Sequence, residues 1–241
     1  MGSRLKFIFF DLRVMIQKYF GIKSSILLSF SILYGATVSR AQQGMNAATL
    51  GPELLAGISL PQTSSNPQPI ASYQFGMRGY APLRSDFALR LGISYRSIQV
   101  EGEATYYSYE FSGNYLFFAP AIRYKWIEVG LDIGTPLKGN FKTTGGGSIA
   151  DTASSLGSQD MATLVQIVAS ASLPLVIDNG NQLSLLVSAS CSPSTLMTKE
   201  FILHDATSPD PITTAGPLGP IETIQVGLTW QFTLLGSAKE E

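Results

Sequence analysis

From Ile224 to Leu234 hydrophobic and polar residues alternate without a break. Ile224, Val226, Leu228, Trp230, Phe232 and Leu234 share one face of an extended strand, and Gln225, Gly227, Thr229, Gln231 and Thr233 share the other, because successive strand side chains point opposite ways. Seven segments upstream repeat the pattern. They are Glu53 to Leu60, Ser72 to Tyr80, Phe87 to Arg96, Tyr115 to Trp126, Ile127 to Gly134, Leu164 to Leu173 and Gln182 to Cys191. In the clearest of them Phe87, Leu89, Leu91, Ile93 and Tyr95 oppose Ala88, Arg90, Gly92, Ser94 and Arg96, an order that no helical period reproduces. Most are close to the length, about 9 to 11 residues, that carries a tilted strand across a bilayer. Pro120 interrupts the fourth; it has no N–H to give to a ladder and predicts a bulge.

The connections alternate in length. Short ones are expected at Ala81 to Asp86, around Trp126, and at Asp178 to Asn181, where Asp-Asn-Gly-Asn is hairpin chemistry. Long ones are expected at Pro61 to Gln68, Ser97 to Asn114, Pro136 to Asp160 and Ser192 to Pro220. This order defines an all-β fold, an eight-stranded antiparallel up-and-down transmembrane β-barrel with both termini on the periplasmic side, because such barrels carry short periplasmic turns and longer outer loops. So oriented, Phe87, Tyr124, Trp126, Trp230 and Phe232 fall at one end of the strands and Tyr73, Tyr95 and Tyr115 at the other. Aromatic girdles belong at both interfaces, whereas a soluble sandwich gives no reason for sorting by strand end.

Composition supports the lipid-facing reading: only 14% of the residues are charged, against about 25% in an average soluble domain. Lys18 and Lys23 precede an apolar run from Ile26 to Val38, and Ser39-Arg40-Ala41 supplies small residues for signal-peptidase cleavage. Residues 1–41 are therefore expected to be a signal peptide, with Met1 or Met15 as its start, and residues 42–241 the barrel domain. Without residues 1–41 the 16 basic and 17 acidic residues become 10 and 16, a net charge of −6. That sign argues against nucleic acid, which is held by Lys and Arg on its phosphates. Cys191 is the single cysteine, which excludes an internal disulfide.

The polar faces carry Glu53, Arg78, Arg90, Arg96, Arg123, Lys125, Glu128 and Asp132. With the greasy faces in lipid, these charges share a lumen too narrow for an aqueous channel, so they are expected to pair, with five basic against three acidic groups. His204, the single histidine, lies beside Asp205 and Ser208 in a Pro-rich loop. One His without clustered Cys supplies neither a convincing triad nor a usual metal set, so neither catalysis, a cofactor nor a metal is expected. The aromatic, acidic stretch from Glu103 to Phe111, with Tyr106, Tyr107 and Tyr109, reads either as an outer-loop contact for an extracellular partner or as a strand extension above the membrane. A soluble lipocalin-like barrel around an apolar ligand would require the opposite faces, with Arg78, Arg90 and Arg123 outside.

The signal peptide, the eight amphipathic strands and the terminal Val226-x-Leu228-x-Trp230-x-Phe232 resemble the small PorT-like outer-membrane β-barrels, whose architecture is shared by OmpA-type and OmpX-type barrels. The resemblance covers about residues 48–234. It implies outer-membrane lipid as surroundings, a monomer, and recognition of Trp230 and Phe232 by the barrel assembly machinery. The leading expectation for function is a structural or surface-interaction role without enzyme activity; the alternative of a lipid-modifying membrane enzyme hangs on His204 alone.

Overall fold

The alternating segments are strands in the computed structural model, which describes residues 47–61, 68–84, 86–103, 107–145, 151–178, 181–204, 211–215 and 218–234. The expected signal peptide, Tyr106, Asp205 and Ser208 lie outside the described residues. The strands are β1 (Thr49–Pro61), β2 (Ile70–Arg84), β3 (Phe87–Glu103), β4 (Tyr107–Phe118), β5 (Ala121–Tyr124), β6 (Ile127–Gly145), β7 (Thr152–Leu156), β8 (Leu164–Asp178), β9 (Asn181–Ser192), β10 (Phe201–His204), β11 (Pro211–Ala215) and β12 (Ile221–Thr233).

Each wall strand pairs antiparallel with its neighbour, and β12 pairs back onto β1, from Thr49 opposite Thr233 to Pro61 opposite Ile221. β4 and β5 are one wall strand interrupted at Ala119 and Pro120, since both lie between β3 and β6. The ring therefore has eight strands. At the interruption the Ala119 N–H still reaches the Gly92 carbonyl at 2.9 Å, and the Pro120 carbonyl accepts from Leu131 N–H at 3.0 Å. Pro120 thus sits where the wall needs no donor from it.

The two faces have the polarity of a transmembrane barrel. Leu54, Ile93 and Ile167 point outward and are 64%, 58% and 58% exposed, while Arg78, Arg90, Glu128 and Gln166 point inward and are buried. Rings gather on the outer wall near the termini, where Phe87 packs on Tyr124 at 4.8 Å and Trp230 stacks on Phe232 at 5.7 Å. Further along the wall, Tyr95 packs against Phe75 and Tyr73. Tyr115 departs from the girdle expected of it: it faces inward, fully buried, beside Phe117.

The far end of the barrel rises higher than the strand lengths expected from sequence. β3 continues to Glu103 and β4 begins at Tyr107, so most of the expected Ser97 to Asn114 loop is hairpin wall. β6 runs on to Gly145, and β7 pairs with it from Gly139 to Thr143. Leu137 is an extra residue in β6 opposite the shift between Asn114 and Tyr115. Such a bulge exchanges the faces of everything beyond it. Phe141 and Thr143 consequently turn inward, and Lys138, Asn140 and Lys142 turn outward.

Candidate functional site

The inward groups nearest the middle of the wall form a closed circuit. Gln74 Nε2 donates to Glu53 Oε1 at 2.7 Å, and Arg78 Nε donates to Glu53 Oε2 at 2.6 Å. Arg78 Nη1 and Arg90 Nη1 both donate to Glu128 Oε2, at 2.9 and 3.3 Å. Arg90 Nη2 donates to Asp132 Oδ1 at 3.2 Å, and Arg96 Nη2 donates to Asp132 Oδ2 at 2.7 Å. Arg96 Nε returns to Gln74 Oε1 at 2.7 Å, which closes the circuit. Three guanidinium groups meet three carboxylates, so the circuit is neutral. Burying so many charges is tolerable because each is hydrogen-bonded to an opposite charge.

Neutral partners complete it. Tyr80 Oη donates to Glu128 Oε1 at 2.6 Å, Ser170 Oγ reaches Glu128 Oε2 at 3.4 Å, and Arg96 also donates to Gln166 Oε1. The Arg96 guanidinium lies 4.2 Å above the Phe117 ring centre, an arrangement in which the ring face attracts the cation. Arg90 Nε and Gln166 Nε2 remain buried without a hydrogen-bond partner among the described residues. Gln74, Tyr80 and Gln166 were not singled out from sequence, because uncharged groups give no reason to demand a partner. Their signal was position: Gln74 and Tyr80 share the polar face that carries Arg78, and Gln166 stands opposite Asp132 on the neighbouring strand.

Two of the expected lumen charges stand apart from the circuit. Arg123 is buried toward the terminal end, its guanidinium 4.7 Å from the Tyr80 ring centre and its Nε donating to the Lys125 carbonyl at 2.6 Å. Lys125 is exposed and does not face the lumen. The chain has already left the sheet there, for Lys125 has φ 55° in the β5–β6 turn and its N–H bonds the Asp86 carbonyl at 2.8 Å. Strand alternation, on which its inward placement depended, stops at Tyr124.

Toward the far end the interior becomes apolar. Ile98, Val100, Phe111, Phe117, Phe141 and Leu164 are buried together, joined by Leu196, Met197 and Leu203 from the segment between β9 and β12. That segment is tied to the wall: Tyr115 Oη donates to the Leu196 carbonyl at 3.3 Å, Ala162 N–H to the same carbonyl at 3.1 Å, and Leu196 N–H to the Leu218 carbonyl at 3.0 Å. Phe201 of β10 stacks on Phe141 at 5.1 Å. Tyr109 belongs to the same buried cluster and Tyr107 packs against it, so neither is a free loop side chain. Of the Glu103 to Phe111 stretch, the described residues, Glu103 and Tyr107 to Phe111, are strand. His204 ends β10, and its backbone register is with Pro211. Among the described residues no group of three or more His, Cys, Asp and Glu is placed to hold a metal ion.

No protein-family model matches the chain, and no curated protein matches it in sequence. Among solved structures it is similar to Ail, the attachment invasion locus protein of Yersinia pestis, at 13% identity over 79% of this chain and 99% of that one, with a TM-score of 0.36. It is also similar to Neisserial surface protein A, at 7% identity over 77% and 97% of the two chains and a TM-score of 0.34. The outer membrane protease OmpT from Escherichia coli is similar at 10% identity over 77% and 97%, with a TM-score of 0.36. The barrel assignment stands on the ring of strand pairings and the polarity of its faces.

Proposed function

We propose that this chain is an integral outer-membrane β-barrel, monomeric, with both termini in the periplasm, a lumen plugged by its own side chains, and a structural or surface-interaction role rather than catalysis. The observation that carries the reading is the neutral circuit from Glu53 through Arg78, Glu128, Arg90, Asp132 and Arg96. An eight-stranded interior is just wide enough to be filled by side chains, and here the long ones are tied to one another rather than to water. Outside, leucines, isoleucines and aromatics form the surface that lipid would cover. The lipocalin alternative requires these faces reversed. Trp230 and Phe232, stacked on the outer wall at the terminal end, are the groups an assembly machinery would read. The PorT-like resemblance rests on the sequence pattern and supports the same architecture.

Planar-bilayer recording of the purified, folded protein tests the plug. Electrical silence at modest voltage is the expected result, and steady single-channel currents would overturn it. Fractionation tests the location: recovery in the soluble periplasm without detergent would remove the membrane reading.

A further inference from the structure

On the outer wall above the apolar belt, β4, β6 and β7 enclose an open cavity of about 360 Å³ lined by Glu110, Ser112, Asn140, Lys142, Ser154 and Ser155. Register sets its chemistry in two rows. One row runs Glu101, Glu110, Lys142, Ala153 across β3, β4, β6 and β7, and the other runs Gln99, Ser112, Asn140, Ser155. The first row places two carboxylates directly opposite one another, an arrangement that costs stability on its own. Lys142 follows on one side only, and none of the three side chains is held in an ion pair among the described residues.

We propose that this trough binds the headgroup of a membrane lipid bearing phosphoethanolamine, its ammonium on Glu110, with the Glu101 carboxylate next to it on β3, and its phosphate on Lys142, Asn140 and Ser112. The inference rests on the membrane reading above. Three observations support it. The order of charge along the row, minus, minus, plus, is complementary to an ammonium and a phosphate joined by two carbons. Neighbouring strands are about 4.8 Å apart, a spacing of the same order as that separation. The trough also lies at the right level. Asn114 is the first polar outward residue of β4 beyond the exposed Leu116 and Phe118, and Ser112 stands two residues, about 5 Å along a tilted strand, above it. A headgroup layer is about 5 to 7 Å thick, so the Ser112 row lies within it and the Lys142 row follows two residues further along the strands.

The test uses the full chain in phosphatidylcholine nanodiscs doped with either phosphatidylethanolamine or phosphatidylglycerol, with retained lipid read by native mass spectrometry. Phosphatidylethanolamine should be retained over phosphatidylcholine by about tenfold, the scale of one charge-assisted hydrogen bond. Glu110→Gln should abolish the preference, and Lys142→Ala should weaken retention of both lipids, while the barrel keeps its heat-modifiable gel mobility. Equal retention of phosphatidylglycerol would show a phosphate site alone and overturn the zwitterionic match. Displacement by an equal amount of free O-phosphoethanolamine would overturn the lipid as its source. Insertion without any selectivity would overturn the site and leave the membrane reading intact, whereas failure to insert would overturn the membrane reading itself.

Discussion

Arg78 Nη1 donates to Glu128 Oε2 at 2.9 Å, tying β2 to β6 across a lumen on whose wall the two strands are not neighbours. Glu128 is the busiest acceptor of the circuit, since Arg90, Tyr80 and Ser170 converge on the same carboxylate. Glu128→Gln preserves its shape and removes its charge, leaving two buried guanidinium groups short of an acceptor. Removal of one partner of a buried pair costs about 3 to 5 kcal/mol. Urea unfolding from lipid vesicles should show that loss. Lys125→Gln, at the exposed turn, should stay within about 0.5 kcal/mol of the parent. Equal shifts for the two would sink the inner-network assignment.

The closing seam supplies a second prediction, and it concerns assembly. A Cβ on Gly227 would run into the Leu54 carbonyl oxygen, and one on Gly57 would meet the Ile224 carbonyl oxygen. Each therefore stands where the first and last strands approach too closely for any side chain. Gly227→Val should prevent β1 and β12 from closing, seen as loss of the heat-modifiable band after refolding. Gly79→Ala is the control, because the nearest atoms its Cβ would meet are Leu50 Cδ1 and the Thr49 carbonyl oxygen, both at 3.2 Å. If both variants fold with equal yield, the close approach has no bearing on closure.

Leu54 and Leu228 face each other across that seam and are 64% and 46% exposed at the middle of their strands. Leu228→Arg should cost about 2 to 4 kcal/mol in vesicles if the outer wall is lipid-covered, because arginine is that costly near the bilayer midplane. Ser184→Arg, pointing inward, should disturb packing without depending on lipid. The decisive readout is bilayer thickness: the Leu228→Arg penalty should change with acyl-chain length and the Ser184→Arg penalty should not. A penalty at Leu228 that is insensitive to the lipid would overturn the facing.

The wall was legible in the sequence because lipid and a polar lumen impose opposite polarities on alternate residues, as in β3 from Phe87 to Arg96. Its extension was not, and the reason is visible at Ser97. Beyond that point Ile98 and Val100 face an apolar interior while Gln99 and Glu101 face outward. The period of two persists and the same positions face inward, but the inner face turns apolar and the outer face polar, so a continuing strand reads as the start of a polar loop. β6 adds a second concealment, since the bulge at Leu137 shifts the alternation by one residue. For the charges, every ionic member of the circuit has a residue type and a strand face that can be read in the sequence. The expected excess of positive charge arose from counting Lys125 as strand and from Arg123, which packs on Tyr80 beside the circuit.

Two layers of different chemistry line the interior, and this makes the proposed plug testable one layer at a time. The circuit of arginines and carboxylates fills the middle, and the cluster of Phe111, Phe141, Leu196 and Met197 lies beyond it toward the far end. Phe117 joins them, with its ring under the Arg96 guanidinium at 4.2 Å and its neighbour Tyr115 tied to Leu196. Cutting only the polar layer, with Arg90→Ser and Arg96→Ser, leaves the apolar layer in the path of an ion, and a dry constriction lined by such side chains does not conduct. Cutting only the apolar layer, with Phe111→Ala and Phe141→Ala, leaves the circuit intact. Each pair alone should therefore remain silent in planar bilayers, and the four substitutions together should give steady currents, provided gel mobility confirms a folded barrel in every case. Currents from the arginine pair alone would show that the apolar layer is no barrier, and silence from the folded quadruple variant would show that the lumen is filled by something other than these two layers.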